Sequence, residues 1–328
     1  MKNKKIIFIG LLSSLVLAFP FVFVDDYLLH ILVISGINII LVLSLNVIAG
    51  FAGQISLGHA AFFGIGAYTS ALLAMNGLPF FVSLIIASVI TAIGGLLIGY
   101  PVLRLRGHYF AIATLGFGQI VHLILNNWME VTKGPMGLSG IPKPNAIGFV
   151  DFSLKIDYYY LILIMVGLVI YLSLRIKKSK MGRALYAIRT DEITASSMGI
   201  NVAYHKTLAF VWSAGIAGMA GSLYAHYVLF LSPETFQLAT SINILLMLLI
   251  GGIGSIAGSV ASGLFITFLS EYLRSFAEYQ MLIYGFLIVL IVIFAPKGLS
   301  GIFTKKVKKK KSKKQIGKEE EVIENIYS

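Results

Sequence analysis

The sequence predicts an all-α, polytopic integral membrane protein, and three observations predict it. Hydrophobic residues make up 58% of the 328 residues and charged residues only 12%, about half the charged share of a soluble domain. Mean hydropathy is +0.89, and the apolar residues fall in runs of about 20, the length of a helix that crosses hydrocarbon. The Lys and Arg residues sit in short loops and a tail between those runs, the distribution of the positive-inside rule. The net charge of +12 therefore reports membrane topology rather than nucleic-acid binding. Cysteine is absent, which excludes a disulfide framework and thiolate metal sites.

Ten runs qualify as spans: about 5–24, 27–49, 53–75, 79–103, 108–127, 157–175, 206–230, 239–253, 255–272 and 280–295. The first follows Lys2, Lys4 and Lys5. It is longer than the apolar part of a signal peptide and no small-x-small cleavage site follows, so it reads as a retained helix. The three lysines place the N-terminus in the cytoplasm. Asp25 and Asp26 then fall outside, Arg104 and Arg106 inside, and the loop 128–156 outside. The cluster Arg175, Lys177, Lys178, Lys180, Arg183 and Arg189 falls inside, with Lys297 and the tail. Every basic cluster lands on one side, so the span count is even and both termini are cytoplasmic. The region 239–272, broken by "GGIGSIAGS", reads as two short helices, one long span or a re-entrant pair. Charge parity favours two crossings or none.

The domain plan is a membrane domain over 1–304 with a charged, disordered cytoplasmic tail over 305–328. The outer loop 128–156 is rich in Gly and Pro and predicts turns. The tail runs from a basic block to an acidic one, and its basic half faces anionic headgroups.

The third run, "GQISLGHAAFFGIGAYTSALLA", is small and polar where a plain anchor is Leu, Ile and Val. Lipid offers no hydrophobic drive for helix association, so helices approach through small faces, here Gly58, Gly64 and Gly66. Polar side chains at membrane depth face protein or water. Asn38, Asn46, Gln54, Ser56, His59, Thr114, Gln119 and Asn243 are therefore expected to face inward, as interhelical hydrogen bonders or as the lining of a path. "GQISLGHAAFFG" and "GIGSIAGSVASG" echo one another weakly. No catalytic residues and no metal ligands emerge. A P-loop, a His-Glu-x-x-His and a Gly-x-Ser-x-Gly are all missing, and the six His are scattered.

The inside loop 176–205 carries "DEITASSMG". Asp191 and Glu192 favour a helix N-terminus, Ile193, Ala195 and Met198 form a small apolar face, and Gly199 ends the turn. A helix this short is unstable alone, so it docks on its own bundle or on a partner.

"RTDEITASSMGI" resembles the cytoplasmic Glu-Ala-Ala…Gly loop of permeases in ATP-binding-cassette importers. Glu192, Ala195 and Gly199 fit, and Thr194 departs from the pattern. "GFAGQISLGHAAFFGIGAYTSALL", "RLRGHYFAIATLGFGQIV", "TKGPMGLSGIP", "GRALYAIRTDEITASSMGINV" and "LLIGGIGSIAGSVASG" resemble, in order, the blocks of the branched-chain amino-acid permeases, M-type rather than H-type. The resemblance covers about 35–300.

It implies a chain without its own ATPase site or cofactor, in a prokaryotic plasma membrane. It implies partners as well: a second, H-type permease, two cytoplasmic ATP-binding subunits that use ATP, an extracellular binding protein, and lipid. Residues 183–199 would be the coupling helix. Arg183, Arg189, Asp191 and Glu192 would make its polar contacts, with Ala195 and Met198 in the ATPase groove. Gln54 and His59 would line or brace the solute path. A permease for urea, a short amide or another amino acid shares these blocks. An ion-coupled secondary carrier would need an ion-coupling residue, and a membrane enzyme clustered His or acids; neither is evident.

Overall fold

Eight apolar helices, among the described residues, alternate in direction between two ends of a bundle. The computed structural model describes residues 25–103, 105, 107–144, 152, 154–273, 282, 283, 285 and 286. The expected first span, most of the last, Lys2, Lys4, Lys5, Arg104, Arg106, Lys297 and the tail lie outside the described residues.

Helix α1 (Asp26–Leu45) continues as a π-helix over Asn46–Phe51. Next come α2 (His59–Met75), α3 (Phe80–Val102), α4 (His108–Asn127), the single turn α5 (Met129–Thr132) and α6 (Lys155–Lys178). Two short helices, α7 (Lys180–Thr190) and α8 (Glu192–Ser197), precede α9 (Val202–Val228), α10 (Leu238–Gly251) and α11 (Ile256–Tyr272). Short polar side chains set several starts by accepting the early backbone N–H groups. Asp25 accepts from Tyr27 at 2.9 Å, Ser179 from Gly182 at 3.1 Å, Asn201 from Tyr204 at 3.0 Å and Ser255 from Gly258 at 3.0 Å. Each such cap stabilises its helix by about 1 kcal/mol.

Side-chain contacts define the two ends. At one, Lys155 pairs with Asp26 at 2.9 Å and the His30 ring nitrogen lies 2.9 Å from the Tyr227 hydroxyl. At the other, Lys177, Arg189 and Lys206 gather around the end of α1. The basic cluster and the Asp25–Asp26 pair therefore sit at opposite ends. The region 239–272 forms two helices joined by a turn at 252–255. With 14 residues, α10 is about 21 Å long, shorter than a hydrocarbon core of about 30 Å.

The core lies on α1 and α9. Burial covers 83% and 72% of their apolar windows, against 28% for α3 and 22% for α4, so α3 and α4 are the periphery. Small residues let α9 wedge between α2 and α3. A Cβ at Gly66 would run into the Gly218 backbone, one at Gly221 into the Phe63 carbonyl, and one at Gly218 into the Thr91 hydroxyl. A Cβ at Gly95 would lie 2.6 Å from that of Ala214. The described part of the loop 128–156 holds the helical turn α5, a 3-10 turn at Gly134–Met136 and a two-residue strand. Leu138–Ser139 (β1) pairs antiparallel with Phe230–Leu231 (β2), fastening this loop to the chain leaving α9.

Gly66→Leu is expected to force α2 and α9 apart, since overpacking costs about 1–3 kcal/mol or more where backbone is the obstacle. A lowered melting temperature in detergent checks this, with Gly94→Leu, where a Cβ meets nothing within 4 Å, as the unaffected control.

Candidate functional site

At the basic end two helices break, and their freed backbone groups need partners. The π-helix leaves the Gly50 carbonyl, which accepts from Arg189 Nη1. Helix α10 stops at Gly251, and Gly252 (φ 95°) and Gly254 (φ 86°) reverse the chain in the left-handed region where glycine is unstrained. Lys177 Nζ donates to the Gly254 carbonyl at 3.2 Å. Arg189 therefore sits at the negative end of its helix dipole, while Lys177 meets a turn carbonyl between α10 and α11. Asn46 joins the two breaks: its Oδ1 accepts from Gly254 N at 2.8 Å and its Nδ2 donates to Ser259 Oγ at 3.1 Å.

The loop 176–205 packs on this platform. The short helix read in 191–199 is α8, capped by Asp191 in extended conformation (φ −159°, ψ 118°), so the coupling segment 183–199 implied by the resemblance is divided between α7 and α8. Its carboxylate accepts from Thr194 N at 2.6 Å. That backbone hydrogen bond holds the Asp191 carboxyl below its ordinary value. With the folded value lowered, the cap's contribution is full above the ordinary carboxylate range and is lost as pH falls through the lowered value. Gly199, at φ 81°, ends the segment.

Three expectations for this loop need correction. Ala195, expected in a partner's groove, is 3% exposed and turned onto its own bundle. Glu192 also turns inward: its Oε1 accepts from Lys206 Nζ and, at 3.3 Å, from Gln54 Nε2. Arg189 reaches inward to Gly50, with its Cγ against Gly53. The outward apolar residues of this segment are Ile193, 67% exposed, and Met198, 78% exposed. Arg183 is exposed and donates to the Lys178 carbonyl at 3.2 Å.

The polar residues of the spans divide into two groups. His59 Nε2 lies 2.6 Å from Ser44 Oγ, and Ser213 Oγ donates to the Ser44 carbonyl at 2.6 Å. These contacts tie α1, α2 and α9 together. Asn38 donates to Thr267 at 2.9 Å. Thr114 accepts from Leu57 N at 3.1 Å, and Ser56, fully buried, accepts from Gly58 N at 3.4 Å. All of these brace the bundle. Gln119 on α4 and Asn243 on α10 differ, being half-buried with no side-chain hydrogen bond to another described residue.

Gly58, which precedes α2, and Gly64 and Gly66 within it serve three different neighbours. Gly58 faces the Thr114 carbonyl, Gly66 faces α9, and a Cβ at Gly64 would lie 2.9 Å from the Phe236 ring. Lys206 and Lys177 were not legible as site residues. Lys206 opens an apolar run, where a lysine reads as a solvated flank, yet it is 1% exposed.

The branched-chain amino acid transport system / permease component family matches residues 27–292. The high-affinity branched-chain amino acid transport system permease protein LivM of Escherichia coli (strain K12) is 40% identical over 90% of this chain and 75% of its own length. The probable branched-chain amino acid transport permease protein LivM of Methanocaldococcus jannaschii is 26% identical over 87% of this chain and 97% of its own. The LivH permease protein of Salmonella typhimurium is 28% identical over 78% of this chain and 88% of its own. No solved structure matches. The extent of these matches and the eight alternating apolar helices make the chain a multi-pass membrane protein that belongs to the branched-chain amino acid permease family.

Proposed function

We propose that this chain is the M-type permease subunit of an ATP-binding-cassette importer. It forms part of the path for leucine, isoleucine and valine across a prokaryotic plasma membrane. It pairs with an H-type homologue, is driven by two cytoplasmic ATP-binding subunits that use ATP, and receives substrate from an extracellular binding protein. The names of its relatives support the substrate class. Matches to both LivM and LivH proteins support a paired permease. The reading takes ten spans, the eight apolar helices with the apolar runs 5–24 and 280–295 added, and an even count supports both termini lying at the basic, cytoplasmic end.

The observation that carries the reading is α8. It is capped and anchored on its inner face, yet it leaves Ile193 and the adjoining Met198 exposed. Apolar side chains held outward on a rigid short helix beyond the bilayer fit a groove in a partner. Gln119 and Asn243 suit the solute path. Amides at membrane depth that find no protein partner are costly against lipid and stable against water or a zwitterion.

Cells lacking their own importers and carrying this chain with its three kinds of partner should take up labelled leucine. Isoleucine and valine should compete, and urea should not. Competition by urea instead would move the substrate assignment within the family, and no uptake of any of them would remove it. Ile193→Asp/Met198→Asp should lower co-purification of the ATP-binding subunit by about tenfold or more, as loss of a hot-spot pair does. Asp191→Ala should weaken the same docking and Asp191→Asn should keep it, because Asn also caps. In a pH series, docking should hold from neutral pH down through the ordinary carboxylate range and weaken only below it.

A further inference from the structure

Lys206 is 1% exposed, and a buried ammonium persists only when paired. Its partner Glu192 is 23% exposed at the side chain and lies in the first turn of α8. The same carboxylate oxygen takes a hydrogen bond from Gln54, in the extended connector between the π-helix and α2. The other amide atom, Gln54 Oε1, is buried without a hydrogen-bond partner among the described residues. Glu192 thus supplies the side-chain hydrogen bond that Gln54 makes. One oxygen joins three segments far apart in sequence: the outward-facing short helix, the start of the central helix α9, and the connector that leads to His59.

We propose that Lys206 is a positioning residue. Through Glu192 it fixes α8 to α9 and to the α1–α2 connector, so that displacement of α8 by a partner moves the bundle rather than tilting α8 alone. This rests on the docking role proposed for α8. An apolar contact would hold α8 as firmly at rest. It would let α8 slide under load, whereas a desolvated ion pair resists separation at every small displacement. Arg189 and Lys177 add grips on the two helix breaks beside it.

The test uses the complete importer in proteoliposomes, with wild type, the neutral pair Glu192→Gln/Lys206→Met, and the swap Glu192→Lys/Lys206→Glu. Replacing both members of a buried pair by neutral residues of similar shape is tolerated by folding, so the neutral pair should assemble with its ATP-binding subunits in normal amount. Stimulation of ATP hydrolysis by substrate-loaded binding protein should fall about tenfold, within the usual range of coupling between sites. The swap should regain most of it. Undiminished stimulation in the neutral pair overturns the proposal, as does a swap no better than the neutral pair. A neutral pair missing from the membrane also overturns it, because the ion pair would then serve folding. A wild-type chain that recruits no ATP-binding subunit would instead overturn the importer function itself.

Discussion

A bilayer offers no water to a broken helix, so every backbone group freed by a break must be met from within the protein. This chain breaks twice at one end, at 53–58 and at 252–255, and the rest of that end is shaped by the requirement. The Gly50 and Gly254 carbonyls draw in Arg189 and Lys177, and the Gly254 N–H draws in Asn46. The cations come from the end of α6 and the loop beyond it, so satisfying the breaks also fixes α7 and α8 beneath the bundle. The short helix α8, which leaves Ile193 and Met198 exposed, is held beside the contacts that complete the membrane helices.

Above that platform the bundle is close-packed around α9. Gly66, Gly218 and Gly221 let backbones touch where side chains would separate them. Such a crossing cannot slide without collision, because the obstacles are backbone rather than flexible side chains. Relative motion is therefore left to the peripheral helices. Among those, α4 carries Gln119 beside Gly118, whose Cβ would lie 3.3 Å from Gly58 at the start of α2.

Much of the architecture was legible in the sequence because apolar length is a strong signal. The run read as 108–127 is helix His108–Asn127, and the doubtful region 239–272 resolves into two helices. The run read as 53–75 begins as helix only at His59. Its first residues are apolar enough to count, but they are an extended connector that needs Gly53 at φ 74°. The short helix read from Asp191 and Glu192 to Gly199 is there as α8, and the implied coupling segment 183–199 divides at its cap, Asp191. Burial direction was not legible. Over six residues, spacing does not say which face of α8 meets its own bundle, so Ala195 and Glu192 were expected outward. The role of Lys206 depends on Glu192, 14 positions earlier and across a chain reversal, a distance at which charge patterning is silent.

The π-helical turn at Asn46–Phe51 has a consequence for how this chain tolerates change in length. A wide turn holds one residue more than an α-turn. Removing one residue from it lets that turn close to α geometry while the flanking segments keep their relation, whereas a deletion in the α-helical part of the same span would rotate one flank by about 100° against the other. The stretch is thus a slack element, the place in this span where one residue other than Asn46 and Gly50 is lost with the least change of phase.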